Sequence, residues 1–448
     1  MRRRIVVAAV AAGLAMSMAL VAGNQAEADP PKGAGLKGAL AAAPDTLKTP
    51  FETSNGVTWT TQPQAKKFLR DLDAASDRVR VQNIGRTNQQ RPIQLVAVGA
   101  PTPPSQLLAS QGSVVMFTCS VHGDEKSGRE AGMQLARDLA FTTDPSLTRF
   151  LRRTTVLLVN PNPDGWVADT RGNADGVDVN RDYMKLATPE GRAVTKTIRD
   201  WKPDVLNDLH EYGPREFYHT DLLHLWSRNR NVDPVVHDLA KEMSAKYSSA
   251  LVTSLGYSSG VYGHLVKDGE PFRQVAGDGQ ARILRNYAGL VNVVGMLSET
   301  ANQPLDDAEE ADASLLNRRR VEVNYSSAVG SVQMGLENRD LLERETAAAA
   351  QRNTEAGRSG DGVVYFGGQD DMLPTSSSEV EPKPMCGYQL TAETFAQVRR
   401  ALALHGIASK RSGDGRYVSL GQPTRGLIPL LFDSRSQYKI ADGTPVAC

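Results

Sequence analysis

The hydrophobic and polar positions of the chain form two kinds of pattern, short apolar runs and stretches with helical spacing. Short apolar runs, each ended by polar residues and rich in β-branched or aliphatic side chains, predict strands. They are RPIQLVAVG (91–99), SVVMFTCS (113–120), TTVLLVN (154–160), PDVLNDLH (203–210) and GMLSET (295–300). Apolar residues recur at helical spacing in KSGREAGMQLARDLA (126–140) and DPVVHDLAKEMSAKYSSAL (233–251). Strands that alternate with helices predict an α/β fold, with a mixed, mostly parallel twisted sheet and helices on both faces.

The pattern changes in the last third of the chain. A long helical stretch from about residue 312 to 350 meets RNTEAGRSGDG, which is expected to break it, and then the polar, Pro-rich PTSSSEVEPKP. Residues 351–383 are therefore predicted to be a linker between a catalytic domain over 51–350 and a second unit. In that unit, residues 384–448, Thr391 is the expected N-cap of a helix that Gly406 ends. A strand and a short helix follow, which predicts a small C-terminal α+β extension.

The first residues carry an export pattern. Three arginines precede the apolar run IVVAAVAAGLAMSMALVAG, and the small residues Ala26 and Ala28 follow. This order is typical of a secretory signal peptide, so we expect residues 1–28 to be removed and the protein to be secreted. A membrane anchor is the alternative, although the run is rich in alanine and near the short limit for spanning a bilayer. Residues 29–50 are expected to form a flexible lead-in.

The balance of charge excludes two classes of partner. The chain has 448 residues, of which 51 are Lys or Arg and 51 are Asp or Glu. Nothing in this balance recruits nucleic acid or an anionic membrane, and no dense basic run follows the first few residues. We therefore expect no nucleic-acid partner and no stable membrane insertion after signal cleavage.

Three cysteines remain in an oxidising compartment. Cys119 lies within an apolar run and is expected to pack as a small buried hydrophobic residue. Cys386 and Cys448 bracket the last segment, so a disulfide between them would tie down the C-terminus. Spacing alone does not show that their Cα atoms come close enough.

A histidine and an acidic residue follow one predicted strand, and a second histidine ends another. His122 and Glu125 lie three positions apart after the strand at 113–120, and His210 ends the strand at 203–210. Catalytic zinc sites use three such ligands, and α/β sheets carry their sites at the C-terminal ends of strands. The alternative for His210 is a core histidine with satisfied hydrogen bonds. A His-x-x-Glu pair by itself is weak evidence.

Other polar residues could serve a reaction next to such a metal. RGNADGVDVNRDY brings together Arg171, Asn180 and Arg181, which suit recognition of a carboxylate and of a developing oxyanion. The plainer interpretation is a surface loop. Glu299 ends the strand GMLSET and could act as a general base, unless it faces solvent.

Together these motifs resemble a known family. His122-x-x-Glu125, NPDGW at 162–166, GVDVNR at 176–181, His210 and Glu299 follow one another in the order found in zinc carboxypeptidases of the carboxypeptidase A type. The similarity covers about residues 51–301 and, with the export pattern, indicates a secreted bacterial member. It implies a carboxypeptidase-like fold and one zinc ion per chain, bound by His122, Glu125 and His210.

The resemblance also implies roles for the remaining site residues. Asn180 and Arg181 would hold the C-terminal carboxylate of the substrate, and Arg171 would polarise the scissile carbonyl. Glu299 would be the general base. Asp178 matches the acid that orients the first histidine ligand. The implied function is zinc-dependent hydrolysis of the C-terminal peptide bond of a peptide or protein with a free carboxylate.

The chain departs from the family pattern in several places. The substrate-capping tyrosine of many members is not identifiable, with Tyr262 and Tyr287 both candidates. A large globular propeptide is not expected before the first strand. Specificity is expected to lie between His210 and Glu299, where three acids could favour a basic terminal residue or could simply be solvated: Asp268, Glu270 and Asp278.

Other functions are compatible with the same residues. A peptidoglycan stem-peptide hydrolase would need almost the same zinc site, because stem peptides also carry carboxylates. An inactive peptidase-like binding protein is the third possibility, although the chain retains each expected site residue. The C-terminal unit could be a module that attaches the protein to a cell wall or polymer.

Overall fold

The computed structural model describes residues 34–40, 44–267, 270–273, 279–367, 376–383 and 385–448. The predicted signal peptide, residues 1–28, lies outside these residues. The helices are α1 Ala34–Ala39, α2 Pro50–Thr53, α3 Gln62–Ala75, α4 Gln106–Ala109, α5 Ser127–Phe141, α6 Pro145–Leu151, α7 Pro163–Ala168, α8 Pro189–Trp201, α9 Pro234–Glu242, α10 Ala250–Ser254, α11 Leu284–Leu290, α12 Asp307–Ala311, α13 Ala313–Ser359, α14 Ala392–His405 and α15 Ile428–Phe432. Short 3₁₀ segments span Asp45–Leu47, Val179–Arg181 and Ser377–Glu379, and a π-helical segment, Met243–Ser249, joins α9 to α10.

The strands form one large sheet and three small ones among the described residues. The strands are β1 Val79–Arg86, β2 Pro92–Val98, β3 Ser113–Cys119, β4 Thr154–Asn160, β5 Val205–Tyr212, β6 Leu222–Trp226, β7 Ser259–Val261, β8 His264–Lys267, β9 Glu270–Arg273, β10 Val294–Ala301, β11 Val364–Tyr365, β12 Val380–Glu381, β13 Gly387–Leu390, β14 Lys410–Ser412, β15 Gly415–Ser419 and β16 Thr444–Val446. The eight-stranded sheet has the order β1-β2-β4-β3-β5-β10-β6-β7. Its four central strands, β4, β3, β5 and β10, are parallel to one another. On one side β2 pairs antiparallel with β4 and β1 pairs antiparallel with β2, and on the other side β6 pairs antiparallel with β10.

The strands in the middle of the sheet are buried on both faces. Every residue of β3 and every residue of β5 is buried, as expected for parallel strands covered by helices on both faces. Each of the five predicted strands overlaps one observed strand, and their ends agree to within two residues; the observed strands are β2, β3, β4, β5 and β10. The expected α/β class with a mixed, mostly parallel sheet is confirmed.

Helix α13 is longer than the sequence predicted. It continues to Ser359 and ends at Gly360, which has φ 72°. The break therefore falls within RNTEAGRSGDG, as expected, but later than the predicted end near residue 350. The first glycine of that segment, Gly357, lies inside the helix and is needed for a close contact. A Cβ atom at Gly357 would lie 1.9 Å from the carbonyl oxygen of Leu420. The glycine lets the helix approach the C-terminal unit.

The C-terminal unit packs directly against the rest of the molecule. Its strands β14-β15-β13-β16 form a four-stranded sheet, and Thr391 and Gly406 cap α14 as predicted. The expected disulfide joins Cys386 to Cys448, whose Cα atoms are 4.9 Å apart. The buried side chains of this unit belong to the same hydrophobic cluster as the large sheet. The unit therefore contributes to the core of the protein.

The segment before the first strand is also partly ordered in the described residues. Helix α1 precedes Leu40, whose side chain is buried in the main hydrophobic cluster. Cys119 is buried as expected, and burial raises the pKa of its thiol to about 12. Among the described residues, no helix is both long enough and apolar enough to cross a membrane.

Candidate active site

The loop that carries His122 turns sharply at the end of β3. Ser120 adopts a left-handed backbone conformation with φ 66°, and the chain then passes close to the start of α7. A Cβ atom at Gly123 would lie 2.0 Å from the carbonyl carbon of Gly165, so only glycine fits there. The NPDGW motif closes this contact: the Asn162 side chain accepts from the Gly165 N–H at 2.9 Å and donates to the carbonyl of Val121 at 3.1 Å.

The second histidine and the candidate base come from neighbouring strands. His210 lies near the C-terminal end of β5, and Glu299 lies directly beside it in the parallel register of β10. Because side chains alternate between the two faces of a strand, residues paired in register point to the same face of the sheet. The C-terminal edge of the parallel strands thus gathers these two side chains and the His122 loop.

Two imidazoles and one carboxylate meet at this edge. The Nδ1 atoms of His122 and His210 are 3.1 Å apart. Glu125 contacts both, with Oε1 at 2.6 Å from the Nδ1 of His122 and Oε2 at 2.8 Å from the Nδ1 of His210. All three residues are buried, and one potential ligand atom from each lies within 4.8 Å of the others.

A carboxylate lies behind each histidine. The Nε2 of His122 is 3.0 Å from Oδ1 of Asp178, and the Nε2 of His210 is 2.8 Å from Oδ2 of Asp208. Each imidazole can therefore donate its Nε2–H to a carboxylate and leave Nδ1 as the ligand atom. Such pairing fixes the tautomer and strengthens the imidazole as a ligand. Asp208 also accepts a hydrogen bond from the hydroxyl of Thr118.

The electrostatics of the cluster favour positive charge. Burial alone lowers the pKa of both histidines, but Glu125 and Asp178 raise the pKa of His122 above its ordinary value. Asp208 and Glu125 likewise raise the pKa of His210 well above its ordinary value. Burial raises the pKa of Glu125, and the two histidines more than offset this and lower it well below the ordinary range.

This donor set fits a divalent metal ion. Three carboxylates surround the two imidazoles: Glu125 and Asp208 are buried, and Asp178 is half-buried. A bound cation would neutralise their negative charge. Two histidines and one glutamate are also the ligand set of one type of catalytic zinc site. The fold and the site together define an α/β protein with a buried metal centre at the C-terminal edge of its parallel strands.

Comparison with known proteins assigns this centre to a family. Residues 65–278 match the model of the zinc carboxypeptidase family, and this segment holds all three candidate ligand residues. The resemblance to the carboxypeptidase A type, the carboxypeptidase-like fold class and the expectation of zinc are thereby confirmed. Glu299 lies beyond the matched residues.

Individual relatives are more distant. The chain is 25% identical over 281 residues to carboxypeptidase 2 of Trichophyton rubrum, covering 60% of this chain and 52% of that protein. It is 28% identical to carboxypeptidase 2 of Trichophyton equinum over 45% of this chain and 41% of the relative. The chain thus spans about half the length of these fungal relatives, and a bacterial source stays a prediction.

A solved structure resembles the chain at lower identity. The metallo-carboxypeptidase from Burkholderia cenocepacia is 19% identical, with a TM-score of 0.45, and the match covers 62% of this chain and 70% of that chain.

The predicted substrate-binding residues lie at the same centre. Arg171 is held by Asp178, with Nε and Nη2 donating to Oδ2 at 3.1 and 3.0 Å. Its Nη1 lies 3.4 Å from Oε1 of Glu125, so the guanidinium lies beside the metal ligands. Arg181 donates to the backbone carbonyl of Asn180 at 2.8 Å, and a third of its side chain is exposed.

Asn180 has a second set of partners. Its amide nitrogen is 3.2 Å from Asp208 and 3.0 Å from His210, and its carbonyl oxygen accepts from the N–H of Leu284 at 2.9 Å. The hydrogen bonds to Asp208 and from Leu284 hold the Asn180 side chain between the carboxylate behind His210 and the start of α11. Whether Asn180 also binds the substrate carboxylate stays a prediction.

A cavity of about 340 Å³ opens in front of the metal ligands; we call it the site cavity. It is lined by His122, Arg171, Asn180, Arg181, His210, Glu211, Tyr212, Gly213, Arg215, Tyr218, Tyr262, Ile283, Arg285, Leu297 and Glu299. Glu299 therefore faces the cavity rather than bulk solvent. Burial raises its pKa to about 8, with His210 opposing the shift and Glu125 adding to it.

The structure separates the two candidate tyrosines. Tyr262 lines the site cavity, where burial and then the charge of Glu299 raise the pKa of its phenol. Tyr287 is buried and contacts His405 at 3.1 Å, away from the lining. Of the acids considered for specificity, Asp268 and Asp278 lie outside the described residues, as does the side chain of Glu270.

Sequence reasoning missed several residues that support the site. Asp208 lies two positions before His210, on the same face of β5; a charged residue inside an apolar strand is the signal that could have found it. Glu211 accepts from the backbone of Ser127 at 3.0 Å and pairs with Arg320 of α13 at 2.7 Å. Asn324 donates to the carbonyl of His210 at 3.2 Å. The contacts from α13 join positions more than a hundred residues apart, which no local pattern reveals.

Proposed function

We propose that this protein is a secreted zinc carboxypeptidase that hydrolyses the C-terminal peptide bond of peptides or proteins. The observation that carries the proposal is the composition of the site cavity. Two of the three candidate metal ligands, His122 and His210, line one cavity together with the candidate base Glu299 and with Arg171 and Arg181. The match of residues 65–278 to the zinc carboxypeptidase family supports the same chemistry.

Zinc held by His122, Glu125 and His210 would supply Lewis-acid chemistry, since it lowers the pKa of a bound water and polarises a carbonyl oxygen. The other residues of the site orient the substrate and move protons. Glu299 lies beside His210 in the register of the sheet. From there its carboxylate takes a proton from the attacking water and returns it to the leaving amine.

Two guanidinium groups share the recognition of charge. Arg171 is oriented by Asp178 toward the metal ligands, so it donates to the oxyanion that develops on the scissile carbonyl. Arg181 presents its exposed part to the cavity and binds the terminal carboxylate of the substrate. This division limits the enzyme to chains with a free C-terminus.

Secretion is supported by two independent features. The N-terminal residues have the order of a signal peptide. The disulfide between Cys386 and Cys448 is of the kind that persists in oxidising compartments.

Replacement of the base tests the mechanism. Glu299→Gln keeps the shape of the side chain but not its ability to accept a proton, so we expect turnover to fall at least about 10²-fold with zinc still bound. Steady-state hydrolysis and metal analysis of the same preparation measure both. Near-normal turnover in the variant would remove Glu299 from the mechanism.

Amidated peptides test the position of cleavage. Because Arg181 would lose its charged partner, we expect C-terminal amides to be hydrolysed far more slowly than the matching free acids. Equal rates for the two would argue against carboxypeptidase action and favour an enzyme that cleaves internal bonds.

A further inference from the structure

We propose that the C-terminal unit forms part of the substrate site, because His405 and Tyr438 position the residues that bind the terminal carboxylate of the substrate. Those residues, Asn180 and Arg181, belong to the stretch 179–184, which we call the carboxylate segment. The inference rests on the proposed carboxypeptidase function and adds positioning residues to it. This role is distinct from attachment to a cell wall or polymer.

The carboxylate segment needs support from other parts of the chain. All six of its residues are described by the structure; the first three form the short 3₁₀ turn Val179–Arg181, and none lies in a strand or an α-helix. Side chains carried on loops are placed less precisely than those on helices and strands, unless surrounding residues hold them. The contacts between the segment and its neighbours therefore decide where Arg181 lies.

His405 links the far end of the carboxylate segment to helix α11. Its Nε2–H donates to the carbonyl of Met184 at 2.9 Å, and its Nδ1 accepts from the hydroxyl of Tyr287, in α11, at 3.1 Å. The near end of the segment reaches the same helix directly, since the Asn180 side chain accepts from the N–H of Leu284 at 2.9 Å. The segment is thus fixed to α11 at both ends, and one of the two links passes through the C-terminal unit.

Tyr438 supports the carboxylate segment through Arg282. The carbonyl of Arg282 accepts from the N–H of Tyr183 at 3.3 Å. The guanidinium of Arg282 lies over the ring of Tyr438, 3.8 Å from its centroid, and donates to its hydroxyl at 3.1 Å. These two interactions fix the direction of the Arg282 side chain. Burial lowers the pKa of Arg181, and the charge of Arg282 lowers it further, so the placement of Arg282 also affects the charge at the site.

The two supporting residues are themselves held in place. The last turn of α14, which carries His405, is joined to α8 because Arg199 donates to the carbonyl of Ala403 at 2.7 Å. The stretch that carries Tyr438 folds back on α15, where the N–H of Ile440 donates to the carbonyl of Leu431 at 3.0 Å. Both supports therefore come from packed parts of the unit.

Loss of this support predicts a specific kinetic change. A displaced carboxylate segment weakens the grip on the terminal carboxylate in the ground state and the transition state alike, which raises KM and leaves kcat nearly unchanged. Zinc stays bound, because its three ligand residues lie outside the segment. A purely structural role for the unit would lower stability without this separation of KM from kcat.

Variants of His405 test the first support. His405→Leu keeps a side chain of similar size but neither hydrogen bond, so we expect KM for a peptide with a free C-terminus to rise at least about 5-fold, the effect of one typical hydrogen bond. His405→Gln retains an N–H for the carbonyl of Met184 and should keep KM within about twofold of the parent value. Steady-state hydrolysis by preparations of equal zinc content measures both. An unchanged KM in folded His405→Leu would overturn the role of His405.

Variants of Tyr438 test the second support. Tyr438→Leu should raise KM to a similar extent, whereas Tyr438→Phe keeps the ring under Arg282 and should have a smaller effect. Tyr388→Phe is the matched control, because Tyr388 is buried in the same unit and its hydroxyl donates to Asp433 at 2.9 Å. A rise in KM as large in Tyr388→Phe would mean that the general stability of the unit matters rather than its contacts with the segment, and would overturn the proposal.

Hydrogen exchange tests the positioning without any substrate. In His405→Leu we expect faster exchange of the backbone amides of residues 179–184, including the Tyr183 N–H that donates to Arg282, and unchanged exchange in β3 and β5. Equal protection of the segment in the variant and the parent would contradict the proposal. If the unaltered, zinc-loaded enzyme hydrolyses no peptide with a free C-terminus, the proposed function fails instead, and exchange alone decides whether the unit positions the segment.

Discussion

Two regions of the molecule bury histidines at comparable depth and use them in opposite ways. At the C-terminal edge of the central strands, His122 and His210 are almost fully buried, and their pKa values are raised. At the C-terminal end of helix α14, His405 is equally buried, and its pKa is lowered to about 4.

The difference arises from the neighbours of each ring. Carboxylates lie within 3.0 Å of both histidines of the metal centre. The neighbours of His405 are neutral: its Nε2 is 2.9 Å from the carbonyl of Met184, and its Nδ1 is 3.1 Å from the hydroxyl of Tyr287. A carbonyl only accepts, so Nε2 carries the proton and Nδ1 accepts from the tyrosine. Burial alone does not distinguish a ligand from a core residue, whereas the charge around it does.

The largest expected effect comes from removing a histidine of the metal centre. His210→Ala should abolish zinc binding and lower hydrolysis at least about 10³-fold, since the metal contributes several kcal/mol to transition-state stabilisation. Metal content and activity of the purified variant measure this. His405→Ala is the matched change at the other region and should keep its zinc. Full zinc content in His210→Ala would break the comparison.

A smaller effect is expected from acid on the neutral histidine. A histidine in an unfolded chain titrates near 6.5, whereas burial lowers the pKa of His405 to about 4. As the pH falls, the unfolded chain takes up the proton first, so the contribution present above pH 6.5 is lost toward pH 4. It amounts to about 3 kcal/mol. Urea unfolding at several pH values, with a chelator present to exclude metal release, measures the loss.

The variant His405→Gln isolates this contribution. It should show a shallower decline in the free energy of unfolding between pH 6.5 and 4 than the parent chain. His219→Gln, at an exposed position, provides the control and should decline as the parent does. An identical decline in His405→Gln would show that other groups cause the acid sensitivity.

The smallest predicted effect concerns the carboxylate behind His210. Asp208→Asn keeps the shape but removes the charge that strengthens the imidazole as a ligand, so zinc affinity should fall about 10- to 100-fold. Competition with a chelator measures the dissociation constant. Asp433→Asn changes a buried aspartate of the C-terminal unit and should leave zinc affinity unchanged. An unaltered affinity in Asp208→Asn would mean that the carboxylate only packs against the ring.

Local sequence patterns determined the parts of the protein that depend on near neighbours. Short apolar runs ended by polar residues located the strands that became β2, β3, β4, β5 and β10, because strand burial acts over a few residues. The polar residues at the ends of those strands identified the ligands His122, Glu125 and His210. The helix cap at Thr391 was likewise visible, since a cap involves residues three positions apart.

Only the tertiary structure decided what depends on distant segments. The helix was expected to end near residue 350, but it runs to Ser359, because the sequence does not show that Leu420 packs against Gly357. Arg285 belonged to no motif, and its place in the site cavity follows from the approach of α11 to β10. The sequence alone also left the roles of Tyr262 and Tyr287 open. Contacts between residues far apart in the chain depend on how whole elements pack, and packing leaves no periodic signal in either partner.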